Sequence, residues 1–241
     1  MRQSFLPVLL GALLSLTLEL AGPPAEAAGG AQIVDDSEVE APGTCHMETW
    51  VVRFVPGELN GWQVKSFQGE TTYTPGRIDG RSGLHAEAKG TASGLFREQR
   101  IDLTQTPVIA WDWRVEALPQ DGPDERSKAG DDFAARVYVV ISGGLAFWNT
   151  RTLVYVWSAR EPVGAHWDNP FTANAKMLVV HSGPRELHRW VGERRDLAAD
   201  LRSAFGEEIP AIDAVAIMTD TDNSGRSASA WYGDIEFRAR P

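Results

Sequence analysis

The sequence predicts an all-β chain, an antiparallel β-sandwich of jelly-roll type with one edge helix at about 194–205. Three observations lead there. Apolar residues recur at every second position in short runs, the period of a half-buried strand. Gly, Pro, Asn and Asp punctuate those runs as turn residues. One stretch alone, "GERRDLAADLRSAFGEE", carries its apolar residues at helical spacing, Leu197, Leu201 and Phe205, with Gly206 placed to end it. At 241 residues such a sandwich forms one domain.

The N-terminal stretch lies outside that unit. Arg2, an apolar run from Phe5 to Leu18 and the small-x-small site Ala25-Glu26-Ala27 read as a cleaved signal peptide over residues 1–27. The run is shorter than the roughly 20 residues that span a bilayer, and Pro7 interrupts it, so cleavage is preferred to a membrane anchor. Residues 28–47 form an acidic leader and 48–241 a single β-sandwich domain. The predicted location is periplasmic or secreted, with no membrane span after cleavage.

Charge and cysteine narrow the partners. The net charge is -10, and losing Arg2, Glu19 and Glu26 with the signal leaves -9. A charge this acidic argues against a nucleic-acid partner, because phosphate binding wants a basic face. Cys45 is the only cysteine, so no internal disulfide can form.

Strands are predicted in order along the chain. "ETWVVRF" (48–54) is rich in β-branched and aromatic residues, and "WQVKSF" (62–67) alternates. "TTYT" (71–74) and "GLHAEA" (83–88) are short alternating runs bounded by glycine. In "IAWDWRVEA" (109–117) Ile109, Trp111, Trp113 and Val115 point one way, and Asp112, Arg114 and Glu116 the other. In "DDFAARVYVVIS" (132–142 from Asp132) the apolar face is Phe133, Ala135, Val137, Val139 and Ile141, with Asp132, Arg136 and Tyr138 opposite. "LVYVWS" (153–158) turns Val154 and Val156 inward if Tyr155 and Trp157 face out. "MLVVHS" (177–182) puts His181 on the side of Met177 and Val179. "AIDAVAIMT" (211–219) and the segment 230–238 complete the set.

Five separated stretches, "WDWRVEALP", "GDDFAARVYVV", "VYVWS", "MTDTDNSG" and "YGDIEF", resemble in order and spacing the bacterial envelope family known as domain of unknown function 3047, over about Phe54 to Phe237. The resemblance implies a secreted bacterial protein and no established activity. The late strand with Tyr232, Asp234 and Ile235 is also similar to jelly-roll sugar-binding modules, a likeness of fold.

Candidate chemistry falls into three groups. In "DTDNSG", Asp220, Asp222, Ser224 and Gly225 match the first, third, fifth and sixth positions of a calcium loop, with Asp131, Asp132 and Asp234 available from elsewhere. Trp231 stands where the closing glutamate belongs, so a turn whose Asp and Asn side chains cap its backbone is preferred. Structural calcium on Asp220, Asp222, Ser224 and Asp234 is the alternative, and the one cofactor the sequence offers. A second group, Arg114, Arg136, Tyr138, Tyr155, Trp157 and His181, would share one sheet face, where arginine forks bind carboxylates and Tyr or His moves protons. The bland alternative is an interior ion pair of Asp112 with Arg114 or Arg136, under a covering loop or the helix. Trp148 and Trp167, in the loops "GGLAFWNT" and "GAHWDNPF", would form an aromatic rim. His166 and His188 receive no role.

The functional expectation is a glycan-binding domain, its arginines suited to an acidic polysaccharide. The alternatives are a polysaccharide-cleaving enzyme, as uronate lyase or glycoside hydrolase, and an envelope structural or protein-binding domain. Glycine-rich phosphate loops, Gly-x-Ser-x-Gly and His-Glu-x-x-His are absent from the sequence.

Overall fold

The computed structural model describes residues 49–52, 59, 61–119, 121–144 and 149–240. Thirteen strands and one helix follow in order: β1 Thr49–Val52, β2 Gln63–Gln68, β3 Thr72–Ile78, β4 Arg81–Lys89, β5 Ala92–Asp102, β6 Val108–Ala117, β7 Ala135–Ile141, β8 Arg151–Ser158, β9 His166–Asn169, β10 Thr172–Ser182, β11 Val191–Asp196, α1 Leu197–Phe205, β12 Ala211–Asp220 and β13 Ser227–Arg238. The parts of the first predicted strand at Glu48, Arg53 and Phe54 lie outside the described residues.

The strands make two stacked sheets. The first runs β11-β6-β13-β4-β3, with β1 also on β13; the second runs β2-β5-β12-β7-β8-β10-β9. Strands β12 and β13 each insert between strands formed earlier, β12 between β5 and β7, β13 between β4 and β6. Apart from β3–β4 and the run β7 to β10, each of which stays in one sheet, successive strands cross from sheet to sheet, as in a jelly roll. One pairing departs from the predicted antiparallel pattern: β10 lies parallel to β8. The segment between them supplies the required crossover length by carrying the short strand β9 along the outer edge of β10.

The space between the sheets is filled from both sides. Trp111, Trp113 and Val115 of β6, Leu84 and Ala86 of β4 and Phe237 of β13 meet Val137 and Val139 of β7, Tyr155 and Trp157 of β8 and Ile217 of β12. Trp111 and Trp113 pack edge to face with ring centroids 5.4 Å apart, a favoured aromatic geometry. The Tyr232 hydroxyl ties the sheets together: it donates to the Met218 carbonyl at 2.6 Å and accepts from the Arg136 amide at 3.2 Å.

Helix α1 begins at Leu197, later than the predicted 194, because residues 191–196 form the edge strand β11 instead. Asp196 caps it by accepting from the Ala199 amide, and Gly206 ends it in the left-handed conformation. Leu197 and Leu201 are buried in the core, while Asp200 accepts from the Tyr155 hydroxyl at 2.9 Å. Among the described residues no helix is long and apolar enough to cross a membrane.

Candidate functional site

Strand β7 faces two ways. Ala135, Val137, Val139 and Ile141 enter the core, as their spacing requires, and Arg136, Tyr138 and Val140 point to the outer face of the seven-stranded sheet. On that face the pairing register aligns two rows across neighbouring strands. Phe96, Ala216, Tyr138 and Val154 form one; Ala214, Val140, Thr152 and Ala175 form the other. Gly94 sits beside Met218 in the adjoining row. Where alanine and glycine stand between larger residues the surface is hollowed, and a groove of about 110 Å³ results. Lys65 and Phe67 line one side, and Phe171 and Thr172 line the other.

One end of this groove is charged. Asp131 and Arg136 from "GDDFAAR", and Asp220, Asp222 and Asn223 from "TDTDN", meet there, although 84 residues separate Arg136 from Asp220. Arg136 is 3 % exposed. Its guanidinium donates to the Asp220 carboxylate and to the Asp131 carbonyl, each at 2.5 Å, and to the Asp131 carboxylate at 3.3 Å. Asp132 receives the amides of Asn223 at 3.1 Å and Ser224 at 2.7 Å, so it holds the "DTDNSG" turn from the opposite strand end. Gly225 closes that turn through its amide to the Thr221 carbonyl, with φ +68°.

Four carboxylates thus share one guanidinium. Burial opposes charge on Arg136, but Asp131 and Asp220 outweigh it and raise its pKa well above the usual value. Burial also pushes the Asp220 carboxyl well up, with Asp131, Asp132 and Asp222 acting in the same sense against Arg136. Asp222 is raised by burial and then by Asp132. Burial first, and the neighbouring carboxylates second, therefore hold Asp220 and Asp222 above the ordinary carboxylate range. Burial raises the Tyr138 phenol as well, which leaves it a hydroxyl and not a phenolate.

The predicted calcium set is partly brought together. Asp132, Asp220 and Asp222 each present an oxygen within 4.8 Å of the others. Asp132 joins from the preceding loop, whereas Asp234 lies on β13 in the other sheet, outside the group. Ser224 offers its amide to Asp132, and its buried hydroxyl has no hydrogen-bond partner among the described residues. Oxygen donors suit a hard cation, but calcium asks for six to eight of them, and Asp220 and Asp132 already accept from Arg136 and from backbone amides.

The predicted arginine and aromatic face does not form. Arg114 lies on the outer side of the other sheet, tied to Glu116 and Asp79, while Arg136 is tied to Asp131 and Asp220. Both arginines are paired, but not with Asp112, the partner the bland alternative names, which pairs with Arg81 instead. Tyr155 and Trp157 turn inward, fully buried, and Val154 and Val156 face outward, the reverse of the expected assignment. Two apolar faces explain the ambiguity: the outer side of β8 packs on Phe133, Met177 and Val179, so alternation gives no polar face to exclude. A β-bulge between Val179 and His181 moves His181 to the side of Trp157, with ring centroids 3.9 Å apart. There His181 meets Glu186 and Glu193 at 3.0 and 3.3 Å. Trp167 stacks at 6.5 Å on Phe133 with the Arg126 guanidinium over its ring at 5.2 Å, and Trp148 lies outside the described residues.

Of the groove residues, the sequence points to Asp131, Arg136, Tyr138, Asp220 and Asp222 alone; the others, Lys65, Phe67, Phe96, Phe171 and Met218 among them, carry no signal of their own. Phe96 belongs to β5, whose "ASGLF" is buried on both sides and so shows no alternation.

Comparison with curated protein sequences finds no match. Among solved structures, the chain is similar to a thermostable Cel12A cellulase derived from Rhodothermus marinus, with TM-score 0.43, 10% identity, and 78% of this chain and 99% of that chain covered. It is also similar to the family 11 carbohydrate-binding module of a Clostridium thermocellum cellulase, with TM-score 0.35, 13% identity, and 89% and 97% covered. A third likeness is to the glycoside hydrolase domain of Endo-D from Streptococcus pneumoniae R6, with TM-score 0.37 and 13% identity over 73% of this chain; the chain spans 21% of that structure. The model of the protein family of unknown function DUF3047 matches residues 60–236, nearly the whole sandwich, and the chain belongs to that family.

Proposed function

We propose that this protein is an exported, non-catalytic glycan-binding domain whose ligand lies in the groove on the outer face of the seven-stranded sheet. The observation that carries this reading is the groove's composition. Its floor of Phe96, Ala216, Tyr138, Val140 and Val154 is apolar, and Asn169, Thr172, Asp220, Asp222 and Asn223 offer hydrogen-bonding groups at its margin. A sugar ring has the matching form, with apolar C–H faces and a rim of hydroxyls. The signal-like N-terminus, Phe5 to Leu18 followed by Ala25-Glu26-Ala27, supports export to the periplasm or beyond, and N-terminal sequencing of protein from a periplasmic extract tests it.

Calorimetric titration with a panel of neutral and charged oligosaccharides tests binding. Ala216 is half-buried on the groove floor, so Ala216→Trp fills the groove without entering the core. The reading expects saturable binding that this variant abolishes while its Tm stays within a few degrees. Binding that survives the variant, or no binding anywhere on the panel, contradicts it.

One observation favours a second reading, a glycoside hydrolase: Asp220 and Asp222 are carboxylates of raised pKa beside the groove, the state a general acid needs. New reducing ends in the same titrations would establish it. Uronate elimination is disfavoured by the geometry, since Arg136 is committed to Asp131 and Asp220 and Tyr138 is held as the neutral phenol.

A further inference from the structure

Resting on the groove as the glycan site, we infer that the preferred ligand is a sugar carrying a free amine, its ammonium set against Asp222 and a neighbouring hydroxyl oxygen set against Arg136. Three features select that chemistry. First, the charged end of the groove is acidic: Asp131, Asp220 and Asp222 line it, and Asp132 stands behind them. Two nitrogens of the guanidinium there are spent on Asp131 and Asp220, which leaves Nε for a single oxygen and no fork for a carboxylate. Lys65 is the other cation lining the groove, and it lies over the Phe96 ring at 4.8 Å on the opposite side. A uronate would meet this end as a like charge.

Second, Asp222 is the carboxylate of the four with capacity to spare. Asp131, Asp132 and Asp220 accept from Arg136, from Asn169 or from backbone amides, whereas Asp222 accepts from the side chain of the adjacent Asn223 at 3.2 Å. It lines the groove and is half-buried, where an ammonium contact is screened less than at an open surface.

Third, Arg136 is buried, lines the groove and leaves its Nε without an acceptor. A buried N–H without a partner is costly, and a ligand oxygen would relieve that cost. An ammonium beside a hydroxyl, as in a 2-amino sugar, offers the matching pair of groups.

The test compares three probes by calorimetry on the mature chain: an oligomer of glucosamine, the same oligomer fully N-acetylated, and an oligogalacturonate. The first two share ring and linkage and differ in charge. The expected result is that the free amine binds at least about tenfold more tightly than the acetylated form, the factor a charge-assisted hydrogen bond supplies, and that raising salt to about 0.5 M weakens it. Asp222→Asn should bring the two within about twofold, with Tm held within a few degrees. Equal binding of the first two, or tightest binding of the uronate, overturns this inference and leaves the groove reading standing. Failure of all three probes to bind overturns the inference alone, whereas binding that Ala216→Trp does not abolish, or silence across the wider panel, refutes the groove reading and the inference together.

Discussion

Removing the guanidinium of Arg136 is the most informative single perturbation. In Arg136→Met the Asp131 and Asp220 side chains, 5% and 4% exposed, lose their counter-ion while remaining buried. Breaking a buried pair from one side costs about 3–5 kcal/mol, because the orphaned charge cannot return to water. A domain of this size is stabilised by about 5–15 kcal/mol, and each kcal/mol is worth about 2–4 °C. The midpoint should therefore fall by roughly 6–20 °C. Urea unfolding followed by the fluorescence of the buried Trp113 and Trp157 measures the loss. Since Asp220 is held well above the usual carboxylate range by burial and its acidic neighbours, removing its charge should restore part of the deficit: Arg136→Met/Asp220→Asn should be more stable than Arg136→Met alone. A single variant that loses less than about 1 kcal/mol, or a double variant worse than the single, refutes the account of four carboxylates sharing one cation.

Other positions give sharper local tests. A Cβ on Gly83 would stand 2.8 Å from the Tyr232 carbonyl oxygen and 3.0 Å from the Trp190 ring, so Gly83→Ala should lower stability by about 1–3 kcal/mol in urea titration. Asp196→Ala removes the helix cap and should cost about 1 kcal/mol at pH 7. The Asp196 carboxyl is held below the usual range, first by the hydrogen bond from Arg240; its contribution is present above the unfolded value of 3.8 and disappears as pH falls through the lower folded value, so variant and parent should converge in strong acid. Because Asp132 holds the "DTDNSG" turn through two amides, chelator should move the thermal midpoint by less than about 2 °C, on the order of 1 kcal/mol or less at this size; a larger fall, with calcium in elemental analysis, would show that a cation holds it instead.

The fold was readable where one strand face is apolar and the other is not. Trp111, Trp113 and Val115 against Asp112, Arg114 and Glu116 gave β6 its face without ambiguity, and Leu197 and Leu201 gave the helix. The reading failed where both faces are apolar. In β8 the alternation fits either assignment, since Tyr155 and Trp157 fill the core while Val154 and Val156 pack in a second apolar cluster on the outer face. Strand β5 escaped notice for the same reason, and β11, "VGERRD", because an edge strand can be charged along its length. The bulge at Val179 and His181 reverses a face at one position, which no periodicity reveals. At the site, the carboxylates and Arg136 were visible as residue types. Their convergence was not, because the alignment of Arg136 with Met218, and hence its approach to Asp220, is set by register between β7 and β12. The groove itself depends on Gly94, Ala216 and Ala175 lying among larger neighbours across five strands, information that exists only in the assembled sheet.

The central claim is the location of the ligand on the outer face of the seven-stranded sheet. Methyl-selective NMR of the mature chain, titrated with the best-binding oligosaccharide of the panel, tests it most directly. The account predicts saturable shifts at Ala214, Ala216, Met218, Val140 and Val154, with the methyls of Ala86, Val115 and Ile235 between the sheets unmoved. Shifts confined to the six-stranded sheet, around Trp231 of β13 and the His85 ring stacked on it, or none at saturating sugar, would contradict it.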